Sequence, residues 1–155
     1  MTMFHNSIAR AVAGALLPQL PLDDYEVSPN QARLRTTAGT FFVPDVVVIP
    51  TAFMPSHVHE TGVEAYPEPM PLVVEVWSPS TGGYDVETKL AEYQLRGDAE
   101  IWRIDPRDRS VTAWVRQPDG SYSEHRYTRG RIRVTSLPGV EVEVCALFRR
   151  LPAGR

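Results

Sequence analysis

Two stretches of this chain are too apolar to lie on a surface, and each carries one acid. The first is Pro71-Leu72-Val73-Val74-Glu75-Val76-Trp77-Ser78-Pro79-Ser80. Its β-rich run over 72–77 predicts a strand buried on both faces, with Glu75 in the middle. A carboxylate there loses its hydration, so it has to be neutral, paired or bound to a cation. The second is Phe41-Phe42-Val43-Pro44-Asp45-Val46-Val47-Val48-Ile49, again a core strand holding one acid. Pro44 cannot donate to a ladder, so it marks a bulge, an edge or a change of pairing partner. A bulge would re-aim Asp45.

The remainder of the chain supplies the frame for these strands. Ile8, Val12, Ala15 and Leu16 recur at helical spacing and predict a helix over 4–17, stopped by Pro18. Short strands are expected over 23–28 and 32–36, and a long one over 40–49. The span 50–70 holds several prolines and no regular period, and reads as a long mobile loop containing His57 and His59. Those histidines lack the helical spacing of a zinc motif, so a flap or a solvent-exposed insertion is the better reading. Asp85 predicts an N-cap for a helix from about Val86 to Arg96, with Val86, Leu90 and Tyr93 inward and Gly97 at its end. A core strand follows over 100–105. Strands 111–116 and 121–128 are joined by Gln117-Pro118-Asp119-Gly120 as an antiparallel hairpin, and 131–135 and 140–144 add more strand. The order argues for one α+β domain spanning 1–155, a mixed sheet with helices packed on it.

Alternation along a strand puts Val43, Asp45, Val47 and Ile49 on one face, and Val73, Glu75 and Trp77 likewise share a face. If the two strands are neighbours, Asp45 and Glu75 meet. Two carboxylates at close range repel unless a cation intervenes. A hard divalent ion, Mg²⁺ or Mn²⁺ in its place, accepts one or two carboxylates and leaves room for a phosphate oxygen. Lys89 is the only lysine in the chain and flanks the inward stripe of its helix. Its compact charge suits a phosphate that grows more negative as it reacts. The alternative for either acid alone is a structural pairing with a buried arginine such as Arg103.

At these residues the chain resembles the Uma-type putative restriction endonucleases, a bacterial branch of the PD-(D/E)XK nuclease superfamily. Pro44-Asp45 followed by Val46-Val47-Val48 is similar to the family's PD strand, and Val73-Val74-Glu75-Val76-Trp77-Ser78-Pro79-Ser80-Thr81 to its acid strand ending in Ser-Pro-Ser. Asp85, Lys89 and Tyr93 fall where the family places D, K and Y on the next helix. Ala99 to Pro106 and Leu137-Pro138-Gly139-Val140 resemble its later segments. The resemblance implies a restriction-endonuclease-like α+β core acting on DNA. In that reading Asp45 and Glu75 are metal ligands and Lys89 is the catalytic lysine. The superfamily's usual lysine position, two residues after the acid, holds Trp77 here, which implies a lysine moved onto the helix. His5 falls where relatives often carry a histidine, and a supporting role follows for it. Glu100 and Asp85 are secondary candidates, Glu100 as a strand-edge or supporting residue.

A net charge of −3 gives no global nucleic-acid signature, so any DNA contact rests on local basic groups such as Arg126, Arg129, Arg131 and Arg133. That charge also motivates a rival: a nuclease fold that binds nucleic acid or a partner protein without turnover. One cysteine, Cys145, excludes an internal disulfide and reads as a small core residue. No run is apolar enough to cross a membrane and no signal peptide stands out, so the default expectation is cytoplasmic. Strand edges near the C-terminal end offer a route to a homodimer.

Overall fold

The computed structural model describes residues 3–57, 65–78 and 82–153. The helical spacing near the N-terminus becomes α1, Met3–Leu16, which buries Ile8, Ala9, Val12, Ala13 and Leu16 along one side. The described residues then form ten strands: β1 Tyr25–Pro29, β2 Leu34–Arg35, β3 Phe41–Phe42, β4 Val46–Pro50, β5 Leu72–Val76, β6 Glu100–Asp105, β7 Ser110–Arg116, β8 Tyr122–Tyr127, β9 Arg131–Arg133 and β10 Glu141–Glu143. The second helix, α2, runs from Gly82 to Arg96 between β5 and β6. Gly97, at a φ of +82°, closes it in the left-handed conformation that glycine adopts without strain.

Six strands form one sheet in the order β1-β4-β5-β6-β7-β8. Within this sheet β5 and β6 pair in parallel, because α2 carries the chain back across the sheet between them. The neighbouring pairs β1–β4, β4–β5, β6–β7 and β7–β8 are antiparallel, so the sheet is mixed. On one face α1 packs over Val46, Val48, Leu72, Val74, Val76, Trp102 and Ile104, and Ile132 and Val142 of the separate β9–β10 hairpin close the same core. On the other face Val47, Ile49, Val73, Ile101 and Trp114 meet Tyr93 of α2 together with Leu34, Tyr66 and Met70. Both faces of β4 and β5 are therefore covered, which explains their near-continuous apolar runs.

The single strand expected over 40–49 is two. β3 pairs with β2, and β4 pairs with β1 and β5. Pro44 stands between them, so of its three possible meanings the change of partner is the one realised. The span 50–70 is more regular at its ends than its composition suggests. Thr51–His57 forms a 3₁₀ helix. Ala65, Tyr66 and Met70 are buried. Arg96 secures this return segment, donating to the carbonyls of Tyr66 and Glu68 at 3.0 and 2.7 Å while pairing with the buried Asp98 at 3.0 Å. His59, and the side chain of His57, lie outside what is described.

Two further expectations are corrected. The second helix starts at Gly82, so Asp85 sits inside its first turn and is no N-cap. Cys145 is exposed and outside the core. The chain leaves β10 at Glu143 and enters a 3₁₀ turn, Cys145–Phe148, which sends Leu147 and Phe148 inward in its place.

Candidate active site

The site begins where the β4–β5 ladder stops. Its last registered pair is Val46 with Val74, so the next β5 amide facing that edge belongs to Val76. The chain before Val46 has already turned away at Pro44 and offers it no carbonyl. Asp45 fills the gap: its Oδ2 accepts the Val76 N–H at 2.6 Å. That bond holds the carboxylate at the end of β5, buried at 5% exposure. His5, from the first turn of α1, adds a second contact to the same oxygen through Nε2 at 2.9 Å. The histidine is itself buried.

Glu75 shares the α2 face of the sheet with Val73, as strand alternation requires. Tyr93 and Lys89 lie one helical turn apart on α2 and both reach it. The Tyr93 hydroxyl donates to Oε1 at 2.6 Å, and the Lys89 ammonium stands 3.5 Å from the same atom. Phe42 packs edge-on against the Tyr93 ring at 6.1 Å and lies 5.8 Å from Lys89 Nζ. The lysine is thus pinned over the site with its side chain 22% exposed. Burial and the charge of Asp45 push the Glu75 carboxyl up to about 8, against a weaker downward pull from Lys89 and Tyr93. The Tyr93 hydroxyl is pushed well above the usual phenol range by burial and by Glu75, so it acts as a donor.

Asp45, Glu75 and Lys89, the three residues singled out by the sequence, therefore come together, with His5 and Tyr93 behind them. The alternative partner for Glu75 does not take that place. Arg103, opposite Glu75 on β6, turns its guanidinium to Glu87 at 3.1 Å and stacks 4.9 Å from Trp114. Glu100 is corrected on two counts. It lies in an interior strand and points to the α1 face. There it accepts the Trp102 indole N–H at 3.0 Å and the Thr135 backbone N–H at 3.1 Å. The basic group near the C-terminus is also cut by acids, with Arg131 and Arg133 both 3.6 Å from Glu141, and Arg126 2.8 Å from Asp108.

The acids open onto a cavity of about 260 Å³. Its wall runs from His5, Asp45, Glu75 and Lys89 past Trp77 to Leu90, Ile101 and Trp114. Trp77 is held from outside by Arg107, whose guanidinium lies 3.5 Å from the ring centre and is itself fixed to Asp105 at 2.6 Å. Sequence reading did not anticipate this stack or the cavity wall. Asp105-Pro106-Arg107 shows a turn but gives no sign that its arginine folds back onto the preceding strand's exit.

The donor set at this site is that of a divalent cation with few protein ligands. Two carboxylates meet here, and among the described residues no group of three His, Cys, Asp or Glu side chains is placed to hold a metal. That suits Mg²⁺, which takes one or two carboxylates and keeps several waters, better than a fully protein-ligated zinc. The upward pressure on Glu75 from Asp45 is what a cation between them would relieve.

Comparison with known proteins converges on one group. A family model, Uma2, described as a putative restriction endonuclease, matches residues 1–147. Among solved structures, the fold is similar to that of a putative nuclease belonging to DUF820 from Anabaena variabilis. The TM-score is 0.73 at 16% identity, over 96% of this chain and 82% of that one. At that identity the likeness speaks to the nuclease-like fold. No curated protein matches the sequence.

Proposed function

The chain belongs to the Uma2 family of putative restriction endonucleases, and on that premise we propose that it is a Mg²⁺-dependent endonuclease that hydrolyses DNA phosphodiesters. The observation that carries this is the pairing of Asp45 with Glu75 inside an apolar sheet, beside the only lysine of the chain. Asp45 and Glu75 would hold the cation. Bound there, Mg²⁺ supplies Lewis-acid polarisation of a phosphate oxygen. Val76 N–H and His5 fix Asp45, and Tyr93 fixes Glu75, so neither carboxylate has to reorganise when charge arrives. Lys89 lines the same cavity 3.5 Å from Glu75, and its ammonium would offset the negative charge that builds as water attacks phosphorus and the P–O bond breaks. Shielding by α2 and Phe42 keeps that interaction in a poorly hydrated space, where it is stronger than in water.

A second reading has one observation in its favour: the Glu75 carboxyl is pushed up to about 8, and a protonated carboxyl is a poor metal ligand. In that reading the fold binds nucleic acid without turnover. Cleavage of plasmid and oligonucleotide DNA with Mg²⁺, and after chelation, separates the two. The endonuclease reading expects cleavage that stops on chelation and falls at least about 100-fold in Asp45→Ala, with the circular-dichroism spectrum retained. Equal cleavage by Asp45→Ala overturns it. Absence of both cleavage and calorimetric Mg²⁺ binding favours the binder.

A further inference from the structure

Hydrolysis of a phosphodiester needs the acids and the lysine, and it does not need what lies beyond them. The cavity continues from Asp45 and Glu75 into a space walled by Trp77, Leu90, Ile101 and Trp114. Most of its lining is apolar, whereas the sugar-phosphate backbone is charged and hydrated throughout. An apolar chamber opening off a candidate phosphate site fits the other half of a nucleotide, whose flat base has apolar faces and a polar edge. The volume, about 260 Å³, is below the range of drug-sized ligand pockets. It suits one planar group rather than a stack. Besides Lys89, one basic side chain lines the cavity: Arg103, beside Glu75 on the neighbouring strand and held by Glu87 at 3.1 Å and by the Trp114 ring at 4.9 Å. Its side chain is 29% exposed, and a guanidinium carries more N–H donors than the one given to Glu87, which suits the acceptors on a base edge. Trp77 walls the chamber with its ring orientation fixed by Arg107.

We propose that this chamber receives a single unpaired nucleobase, so that the substrate is single-stranded DNA or a strand with one nucleotide extruded beside the scissile phosphate. A base stacked inside a duplex cannot enter a closed pocket without being swung out, and that costs least where pairing is already absent. The proposal rests on the nuclease reading for the identity of the strand, but its recognition element is separate from the metal chemistry.

The test is binding without cleavage. Fluorescence anisotropy in the presence of chelator compares a labelled thymidine tetranucleotide with the same backbone carrying no bases. The expected result is at least about 10-fold weaker binding of the baseless strand, the scale of one stacked base. Leu90→Phe, which pushes a ring into the chamber from α2, is expected to reduce binding of the thymidine strand toward that of the baseless one. Equal affinity for the two strands, or no binding of either, overturns the proposal, and this wild-type comparison decides even if Leu90→Phe fails to fold. Base discrimination in a protein that never cleaves keeps the chamber and sinks the nuclease reading. Cleavage without base discrimination does the reverse.

Discussion

Two glutamates on adjacent parallel strands, Glu75 half-buried and Glu100 fully buried, have opposite fates. Glu75 on β5 and Glu100 on β6 are both raised well above the ordinary carboxyl range by burial, to about 8 and about 7. Glu100 faces α1, and its two oxygens are taken by an indole N–H and a backbone N–H. It stitches the segment after β9 to the sheet. Glu75 faces α2, where a second carboxylate, a phenol and an ammonium crowd it at the mouth of a cavity. A perturbed acid inside a sheet is therefore not by itself a site. What separates the two is company: Glu100 is met by donors alone, Glu75 also by a like charge.

The largest effect that tests this contrast is on cleavage. Glu75→Gln should lower Mg²⁺-dependent DNA cleavage at least about 100-fold, whereas Glu100→Gln should leave the rate per folded molecule unchanged. Comparable losses in both variants break the contrast.

Next in size is stability. Glu100→Ala strands the Trp102 and Thr135 donors in the core and should cost about 1–3 kcal/mol in urea unfolding. Glu75→Ala removes half of a repelling pair, and without metal at pH 8 it should cost less than Glu100→Ala. The reverse order would mean that Glu75 is the structural acid.

The most diagnostic effect is on pH dependence. Each glutamate has its folded pKa raised above 4.5, so the unfolded chain releases the proton first and stability falls as pH rises. The loss runs from about 4.5 to about 7 for Glu100 and to about 8 for Glu75. Saturating Mg²⁺ should recover only the share due to Glu75, about 1–3 kcal/mol at pH 8, and should release protons on binding at pH 7. Glu75→Gln should abolish the recovery and Glu100→Gln preserve it. Calorimetry in buffers of different ionisation enthalpy reads the proton release.

Much of this was legible in the residues and some was not. The apolar runs around Asp45 and Glu75 marked the two core strands, and Pro44 marked the break that frees Asp45 from the ladder. The spacing of Lys89 and Tyr93 put them on one side of a helix. The strand of Glu100 was legible over 100–105, but the face to which its carboxylate points was not. Nothing local says that Trp102, two residues on, turns its N–H back to the carboxylate. Cys145 was misjudged because a strand-like run continues on paper past the point where the chain enters a 3₁₀ turn.

From its residues alone this protein declares which segments go inside, which side chains alternate together, and that two acids are out of place in apolar surroundings. Those properties are local, set by the two-residue repeat of a strand and the 3.6-residue repeat of a helix. Only the assembled sheet decides that β4 lies against β5 in the register that brings Asp45 to the Val76 amide, that α2 crosses back over Glu75, and that His5 arrives from the far end of the chain. Strand order and register emerge from many weak contacts between residues far apart in the chain, and no short stretch carries their sum.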